Sequence, residues 1–419
     1  MWLLNRLLSR LVRSGELILF EADGTRHDYG SSQQGRQPVT IRFTDRSAPR
    51  AIARNPRLGA AEAWMEGRLL VDGGDVLALI DLVQSNVARE RENGDALRGN
   101  RLGSIAYSLM SRLDRLNWKR RSRRNVAHHY DLKGGLYDVF LDSDRQYSCG
   151  YFGDSAKDLE EAQADKKAHI ASKLYLKSGQ RVLDIGCGWG GLALYLNRVA
   201  DADVLGITLS LEQLEIARRR ADEAGVADRV KFELIDYRDL TGTFDRIVSV
   251  GMFEHVGPPF YRRFFEKWRS LLTDDGVMLL QTIGRMGGPG TTDPLASKYI
   301  FPGGYIPALS EIFGASETMK LIVADVETLR LHYAHTLEDW YRRTTAAKET
   351  IEALYDARFY RMWTFYLAGA LVAFRHGELC NYQIQYICRR TALPLVRDYM
   401  MAFQAENDPA EADPLVSSV

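Results

Sequence analysis

Short apolar runs alternate with amphipathic segments through the second half of the chain. Beyond about residue 160, runs rich in Val, Ile and Leu are bounded by turn residues and separated by stretches with helical periodicity. This alternation is typical of a parallel sheet whose strands are joined by crossover helices. It predicts an α/β fold with a seven-stranded, mostly parallel sheet. The predicted strands are Arg181–Ile185, Val204–Thr208, Val230–Ile235, Arg246–Val250, Val277–Thr282, Leu321–Val326 and Tyr382–Cys388.

The N-terminal part of the chain predicts a separate, small α/β domain. Residues 1–20 have the spacing of an amphipathic helix, and such a helix lies either on a membrane surface or against its own domain. Its two faces carry apolar and basic side chains: Trp2, Leu3, Leu7, Leu11 and Val12 against Arg6, Arg10 and Arg13. We also expect a strand at Val39–Phe43 and helices at Leu58–Gly67 and Gly74–Glu90.

A basic segment follows this N-terminal domain. Between Arg112 and Arg124 there are seven Arg or Lys residues and one Asp, with apolar side chains interleaved. This composition suits an anionic membrane face, and it equally suits a solvated linker. We expect a lipid- or membrane-associated domain of residues 1–115, a second domain of residues 116–405, and a flexible tail of residues 406–419.

Two regions of the second domain depart from the strand–helix alternation. Residues Gly284–Gly314 are rich in Gly and Pro and predict a long loop, which in a compact domain is usually functional. Residues Thr336–Tyr355 and Phe359–His376 predict helices rich in Trp, Tyr and Phe. We expect these segments to roof an apolar pocket above the end of the sheet.

Charge and cysteine content exclude several classes of function. Lys plus Arg and Asp plus Glu each number 55, so the net charge is zero and nucleic-acid binding has no electrostatic support. The four cysteines form neither a disulfide framework nor a zinc motif, and no metal site is expected. The longest nearly apolar stretch, Met362–Phe374, is too short to span a bilayer, and the N-terminus lacks a secretory signal. We therefore expect a cytoplasmic protein.

A glycine-rich turn follows the first strand of the predicted sheet. Arg181–Ile185 leads into Gly186, Gly188 and Gly190, and a helix is predicted from Leu192 to Ala200. Glycines let a ligand approach the backbone, and open α/β sheets bind nucleotides at the carboxyl end of such a strand. The G-x-G-x-G spacing after Asp184 resembles the S-adenosylmethionine (SAM) site of Rossmann-like class I methyltransferases. A nicotinamide site is the alternative.

Longer motifs on both sides of this turn are more specific. They are Tyr147-Ser148-Cys149-Gly150-Tyr151-Phe152, Glu160-Glu161-Ala162-Gln163 with Lys166, Gly206-Ile207-Thr208-Leu209-Ser210 with Gln213, Asp236-Tyr237-Arg238-Asp239, Ser249-Val250-Gly251-Met252-Phe253-Glu254-His255-Val256-Gly257, Lys298-Tyr299-Ile300-Phe301-Pro302-Gly303-Gly304, and Tyr333-x-x-Thr336-Leu337-x-x-Trp340. Together they closely resemble the cyclopropane-fatty-acyl-phospholipid synthases and the related mycolic-acid cyclopropane synthases. The resemblance covers residues 125–390. Upstream, the N-terminal domain is similar to that of the phospholipid-acting bacterial branch in size and in Ala63-Trp64-Met65-Glu66-Gly67.

The resemblance implies a SAM-dependent enzyme with helical acyl-pocket insertions. In this family SAM methylates the cis double bond of an acyl chain in a phospholipid, and the transfer leaves a carbocation on the chain. In ring-forming members a bound bicarbonate then removes a proton from the new methyl group, and the ring closes. Aromatic faces and fixed negative charge stabilise a cation in an apolar tunnel, and water must be excluded because it would trap the cation.

The resemblance also implies two groups of site residues. Around the bicarbonate it places Glu254, the Cys149 and Ile283 backbones, Tyr333 and the side chain at position 281. Burial beside an anion should raise the pKa of Glu254. At the SAM site it implies Tyr147 and Ser148 over the methionine end and Gly186 and Gly188 under it, after Asp184. It places Thr208, Leu209 and Gln213 at the ribose, and Tyr237 and Arg238 near the adenine.

The chain departs from the family at one position of the bicarbonate site. Ring-forming members end their fifth strand in His-Thr-Ile-Gly, and the histidine helps to hold bicarbonate. This chain has Gln281-Thr282-Ile283-Gly284. Glutamine donates hydrogen bonds but cannot become cationic. Either glutamine substitutes adequately and a cyclopropane forms, or bicarbonate binds poorly and the product is a methyl- or methylene-branched alkene.

Two rival functions and a set of partners complete the interpretation. Gly257-Pro258-Pro259-Phe260 is similar to the Pro-Pro motif of N-methyltransferases but is displaced past Glu254. A non-catalytic protein that binds lipid or SAM is the rival outside the enzymes, and the intact glycine turn with Glu254 and Tyr333 argues against it. The expected partners are unsaturated phospholipid acyl chains and an anionic surface on the inner face of the membrane, where the protein is peripheral. A homodimer is left open.

Overall fold

The structure, a computed structural model, describes residues 1–33, 35–92, 135–153 and 157–407. The basic segment Arg112–Arg124, the expected boundary at residues 115 and 116, and all but the start of the expected tail lie outside these residues. The described residues form two compact units. Unit 1 contains the described parts of Met1–Met110 with Thr292–Pro302 and Leu337–Glu378, and unit 2 contains the described parts of Ser111–Thr291, Gly303–Thr336 and Leu379–Val419.

The helices and strands are labelled in chain order within the described residues. The strands are β1 Gly15–Phe20, β2 Arg26–Ser31, β3 Val39–Phe43, β4 Leu69–Val71, β5 Arg181–Ile185, β6 Asp203–Thr208, β7 Val230–Leu234, β8 Phe244–Val250, β9 Leu272–Arg285, β10 Ile322–Leu329 and β11 Leu379–Ile387. The α-helices are α1 Trp2–Leu11, α2 Ala48–Arg54, α3 Pro56–Met65, α4 Val76–Glu92, α5 Gly135–Phe140, α6 Leu159–Leu174, α7 Gly191–Ala200, α8 Leu211–Glu223, α9 Tyr261–Leu271, α10 Leu309–Ser316, α11 His332–Ala346, α12 Lys348–Leu354, α13 Ala357–Arg375 and α14 Asp398–Glu406.

Unit 1 contains a four-stranded sheet in the order β2-β1-β3-β4. Strand β1 pairs antiparallel with β2 and parallel with β3. The prediction of one helix over residues 1–20 was wrong, because α1 ends at Leu11 and residues 15–20 form a strand. Gly15 has a φ of +83°, a left-handed conformation that a helix cannot continue through. In the strand that follows, every second side chain faces the core, and Leu17 and Leu19 are buried there.

The N-terminal helix packs on its own unit through one face only. Leu4 and Leu8 are buried, whereas Trp2 and Leu3 remain 70% and 62% exposed. Arg6 lies over the Trp2 ring at 5.8 Å on the exposed side. The helix therefore packs against its own unit and still presents apolar and basic side chains to the outside.

The aromatic helices of the second half belong to unit 1, apart from the first five residues of α11. Trp64 Nε1 donates a hydrogen bond to the Arg361 carbonyl (3.0 Å), and Arg361 Nε donates to the Met65 carbonyl (2.8 Å), which joins α13 to α3. Tyr341 of α11 donates to Asp75 (2.9 Å). These helices thus fold with the N-terminal residues, and their role in acyl binding stays a prediction. No helix in the described ranges is long and apolar enough to cross a membrane.

The region predicted as one long loop contains helical turns. A π-helical turn covers Ala296–Ile300, and α10 begins at Leu309. The Asp293 side chain accepts from the backbone N–H of Leu295 (2.9 Å) and so organises the first of these turns. The Gly and Pro content indicated irregular backbone correctly but did not indicate these local hydrogen bonds.

Unit 2 contains the predicted seven-stranded sheet, in the order β10-β11-β9-β8-β5-β6-β7. The pairs of β5 with β6, β5 with β8, β6 with β7 and β8 with β9 are parallel, while β11 is antiparallel to both β9 and β10. All seven predicted strands are confirmed. The chain runs from β5 through β6 to β7 on one side and returns to β8 on the other side of β5. The carboxyl end of β5 is therefore the topological switch point, where such sheets bind ligands.

Candidate active site

The glycine turn presents open backbone at one position and packs tightly at another. Gly186, Gly188 and Gly190 all have positive φ angles, of +83°, +55° and +85°. A Cβ added to Gly190 would lie 2.7 Å from the Phe232 ring, so this glycine is needed for packing. A Cβ added to Gly188 would meet no protein atom within 4 Å. Gly188 therefore faces open space, as a site for a ligand against the backbone requires.

A cleft opens beside this turn and gathers many of the predicted cofactor residues. The predicted residues that line it are Tyr147, Ser148, Asp184, Gly186, Gly188 and Gln213. Side chains or backbone that the sequence did not assign complete the lining: Arg145, Gln146, Lys166, Cys187, Trp189, Leu192, Val250 and Gly251. Residues from five separate parts of the chain thus meet at the switch point of the sheet.

Asp184 supplies a buried carboxyl group to this cleft. Its side chain is 2% exposed, and its Oδ2 atom has no hydrogen-bond partner among the described residues. Burial raises the pKa of Asp184 to about 7, and the nearby Lys166 opposes this shift. A buried acceptor without a partner is costly unless a ligand satisfies it.

Helix α6 holds the loop that carries Tyr147 and Ser148. Asp158 and Glu161 begin this helix with a capping box. Gln163 Nε2 donates to the Ser148 carbonyl (2.9 Å), and Lys166 Nζ donates to Ser148 Oγ (2.9 Å). The sequence analysis assigned Gln163 and Lys166 no role beyond membership of a family motif. Their spacing of three places both side chains on one helical face, which was the available signal.

A partly buried charge network supports the other side of the turn. Asp144 accepts from Lys167 Nζ (2.5 Å) and from Arg220, whose second nitrogen donates to the Trp189 carbonyl (2.9 Å). These two cations hold the pKa of Asp144 below its usual value, although burial alone would raise it. This network was not predicted from the sequence, because Asp144 and Arg220 are 76 residues apart and share no motif.

The predicted ribose residues lie at the end of β6, next to the cleft. Thr208 Oγ1 donates to Gln213 Oε1 (2.9 Å), and Ser210 caps α8 by accepting from the Gln213 N–H. Gln213 lines the cleft, while Thr208 lies behind it and Leu209 is half-buried in the turn between them. The Thr208 hydroxyl therefore orients Gln213.

The predicted adenine residues follow β7 and do not line this cleft. Arg238 forms two hydrogen bonds with Asp236, from Nε (2.8 Å) and from its terminal nitrogen (2.6 Å). The Tyr237 ring packs edge-on against Phe264, with ring centres 5.5 Å apart, and burial raises the pKa of its hydroxyl. Both residues follow the carboxyl end of β7, the strand next to β6.

Glu254 lies at the carboxyl end of β8, in the 3₁₀ turn Phe253–His255. Its Oε1 accepts a hydrogen bond from the Ile283 N–H at 2.5 Å, and Oε2 has no partner among the described residues. Burial raises the pKa of Glu254, as the sequence predicts. Two of the predicted bicarbonate residues are thus brought into direct contact.

Gln281 of β9 contacts a third residue of this group. Its Nε2 donates to the Cys149 carbonyl (3.5 Å), and its Oε1 accepts from Gln383 Nε2 (2.9 Å) on β11. Gln281 and Ile283 are two residues apart on one strand and so face the same side. Cys149, Glu254, Gln281 and Ile283 therefore lie together at one edge of the sheet.

Tyr333 is linked to this group through its neighbours on α11. The Thr336 hydroxyl accepts from the Gly150 N–H (3.0 Å), and His332 Nδ1 accepts from the Phe152 N–H (2.9 Å). The first turn of α11 is thereby bonded to the loop that begins at Cys149. Tyr333 itself is half-buried. Over the described ranges, no group of three or more His, Cys, Asp or Glu side chains could hold a metal ion.

Comparisons with known proteins identify relatives that match most of the chain. The family model for mycolic acid cyclopropane synthetase matches residues 117–384. The chain is 37% identical to the cyclopropane-fatty-acyl-phospholipid synthase of Escherichia coli K12, covering 85% of this chain and 90% of that protein. It is 35% identical to a probable fatty acid methyltransferase of Pseudomonas putida, covering 86% and 89%.

A solved structure shares the fold at a similar level of identity. Mycolic acid cyclopropane synthase CmaA1, crystallised with S-adenosylhomocysteine (SAH) and CTAB, superposes with a TM-score of 0.60 and 32% identity. The match covers 63% of this chain and 97% of that one.

Proposed function

The chain belongs to the mycolic acid cyclopropane synthetase family and is a SAM-dependent methyltransferase, and we propose that it methylates the double bond of an unsaturated fatty acyl chain in membrane phospholipid. One observation carries the proposal. The open backbone at Gly188 and the buried Glu254 lie at the carboxyl ends of β5 and β8, which are adjacent strands of one sheet. A methyl donor at the first group and an alkene beside the second are therefore close in the fold.

The residues of the cleft fit SAM. Gly188 leaves room for a ligand against the backbone, and the free Oδ2 of Asp184 fits the ammonium of its methionine end. Gln213, held by Thr208, lies on the cleft where the ribose would bind. SAM supplies an electrophilic methyl group on a sulfonium. Tyr237 and Arg238 remain candidates for the adenine end.

The residues around Glu254 fit the chemistry that follows methyl transfer. An alkene that gains a methyl cation becomes a carbocation, which fixed negative charge in a dry site stabilises. Glu254 is held by the Ile283 N–H and does not need to reorganise when the cation forms. Its raised pKa also allows it to share a proton with a neighbouring anion.

The outcome of the carbocation depends on the base beside it. We propose two alternatives that differ in the role of Gln281. If a bicarbonate binds among Glu254, Cys149 and Gln281, it removes a proton from the new methyl group and a cyclopropane forms. If the neutral amide holds the anion weakly, another proton is lost and a branched alkene results. Gln281 already uses Oε1 and one N–H within the protein, which supports the second alternative.

We further propose that the protein works at the inner, anionic face of a membrane. The support is the exposed pair Trp2 and Leu3 with the neighbouring Arg6 on α1. The basic segment Arg112–Arg124 adds charge of the matching sign. Two weak signals together give reversible binding.

The experiment that tests the function is lipid analysis of a host that expresses the chain. Gas chromatography with mass spectrometry of its phospholipid acyl chains is expected to show the addition of one CH2 unit to unsaturated chains. The Glu254→Ala variant, expressed at the same level, is the control. An unchanged acyl profile with the wild-type chain would instead support a non-catalytic protein that binds SAM or lipid.

A further inference from the structure

Lys166 is a buried cation in the wall of the cleft with unused hydrogen-bonding capacity. Its side chain is 1% exposed, yet it lines the cleft. An ammonium group has three N–H donors, and in the described part of the chain two are used, toward Gln146 Oε1 (2.5 Å) and Ser148 Oγ (2.9 Å). The third is left for a ligand, since a buried charged donor without a partner is costly.

The buried carboxylates near Lys166 do not use this donor. Asp142 is close enough to raise the pKa of Lys166, but its two oxygens accept from the backbone N–H groups of Gln146 (2.8 Å) and Asp144 (3.1 Å). Asp184 lines the same cleft with a free Oδ2. The cleft therefore offers an unused cationic donor and an unused carboxylate oxygen.

Charges of both signs at one end of a cleft fit a zwitterion. We propose that Lys166 binds the carboxylate of the amino-acid end of SAM, while Asp184 faces its ammonium. This inference rests on the proposed function, because it assigns a further binding residue within that cofactor site. The ligand class is an α-amino acid zwitterion joined to a nucleoside.

The other cation of the cleft is less suited to this role. Arg145 also lines the cleft, but its guanidinium is paired with Asp138 at 2.5 Å and its side chain is 27% exposed. A partly exposed, neutralised cation attracts a carboxylate weakly. A charge-assisted hydrogen bond from a buried ammonium is stronger. Arg145 is therefore the competitor that an experiment must separate from Lys166.

The test measures binding of the purified full-length chain to SAH and to decarboxylated SAH by titration calorimetry. Decarboxylated SAH lacks only the carboxylate, so the ratio of the two affinities reports the contact with that group. The wild-type chain is expected to prefer SAH by roughly tenfold to a hundredfold. In Lys166→Met this preference should collapse. The variant removes the partner of the carboxylate, which weakens SAH but not decarboxylated SAH.

Matched variants separate this role from a structural one. Lys173→Met removes another buried lysine of α6, one that pairs with Glu327 and Asp325, and it should leave the preference for SAH intact. Arg145→Met should also leave it intact. Lys166→Gln, which keeps a donor to the loop, provides a second variant if the methionine variant does not fold.

Each result supports or overturns the assignment. If the Lys166 variants weaken both ligands by the same factor, Lys166 only holds the loop and the inference is wrong. Collapse of the preference in Arg145→Met alone would also overturn it. If the wild-type chain does not bind SAH at all, the proposed function fails and this inference fails with it.

Discussion

Gln383 of β11 donates a hydrogen bond to Gln281 of β9 across the antiparallel pair, with 2.9 Å between Nε2 and Oε1. Because Oε1 is occupied by this bond, the amide of Gln281 directs its N–H groups toward the Cys149 carbonyl. Gln281 therefore faces the proposed bicarbonate position as a neutral donor. Both residues are buried, so water does not compete for the hydrogen bonds that fix this orientation.

The first prediction concerns the product made at this position. Gln281→His should raise the fraction of cyclopropane product, because an imidazole can become cationic and hold an anionic base more firmly than an amide can. Proton NMR of the product lipid distinguishes ring methylene signals from a surviving double bond. Gln281→Leu, which has no donor, is the control and should not raise the ring fraction. A wild-type chain that already makes mainly cyclopropane would show that Gln281 is a tolerated substitution.

The second prediction concerns Glu254. Glu254→Ala should lower the methyl-transfer rate on the order of 10²–10³, because it removes preorganised charge beside the developing cation. Glu254→Gln keeps an acceptor for the Ile283 N–H and should lose rate as well, since the charge is absent. Single-turnover rates with excess enzyme measure the effect, and SAH affinity should stay unchanged. A glutamine variant with the wild-type rate would show that the carboxylate is structural.

The third prediction concerns the backbone at Gly188. Gly188→Val places a branched side chain into the open space of the cleft and should abolish measurable SAM binding. The left-handed φ of +55° also strains the valine, at a cost of roughly 1–3 kcal/mol. Gly179→Val is the matched control, because Gly179 also has a positive φ and open space around its Cα. It should lose similar stability while SAM binding persists, and equal SAM binding by both variants would refute the site.

The fourth prediction concerns the membrane. Co-sedimentation with vesicles rich in anionic lipid should weaken as salt rises, because the Debye length falls from about 10 Å at 0.1 M to about 3 Å at 1 M. Leu3→Ser should weaken it further. Leu70→Ser, at an exposed leucine of β4, is the control and should have no effect.

Arginines of the basic segment provide an independent arm of the same test. Binding to anionic vesicles should fall when four of them are changed to Ala, namely Arg120, Arg121, Arg123 and Arg124. Equal binding of the wild-type chain to neutral and anionic vesicles would contradict the electrostatic part of the proposal.

The fifth prediction concerns acid stability. Glu327 accepts from His169 Nε2 (2.6 Å) and pairs with the buried Lys173, and these partners lower its pKa to about 2 against a burial effect of opposite sign. A carboxyl group whose pKa is lower in the folded than in the unfolded state stabilises the fold at pH values above its unfolded pKa of 4.5. This stability is lost as the pH falls toward about 2. Glu327→Gln should flatten this acid dependence and cost about 1–3 kcal/mol at neutral pH, because it leaves the buried Lys173 without its nearest charged partner.

Denaturant unfolding at several pH values measures that dependence. Glu266→Gln, at an exposed carboxylate of α9, is the control and should unfold as the wild type does. If the Glu327 variant lost stability with the same acid dependence as the wild type, the ion pair would not be its source.

Local pattern accounts for much of what the sequence revealed. The central strands β5, β6, β8 and β9 were predicted because strands of a parallel sheet are buried on both faces and read as short apolar runs. Val182 and Leu183 are both fully buried, one toward each face of the sheet. The glycine turn after Asp184 was predicted because its three left-handed positions favour glycine, so the turn is visible in the spacing of the glycines themselves.

Local pattern failed where a longer-range requirement overrode it. Leucine and arginine spacing over residues 1–20 fits a helix, yet residues 15–20 form a strand because β2 and β3 offer partners on both sides. Local pattern also did not show where α13 packs. This helix is bonded to Trp64 and Met65, nearly three hundred positions away, and its predicted place above the pocket stays a prediction.

The sequence by itself determined the chemistry available to this protein: the open glycine turn, the buried acid Glu254 and the glutamine in place of the family histidine. Only the tertiary structure decided how these groups are held. The register of β9 with β11 sets Gln383 against Gln281, and the packing of α6 brings Lys166 to Ser148. Hydrogen bonds of this kind depend on which strands and helices become neighbours, and neighbours in space are set by burial of the whole core and not by adjacent residues.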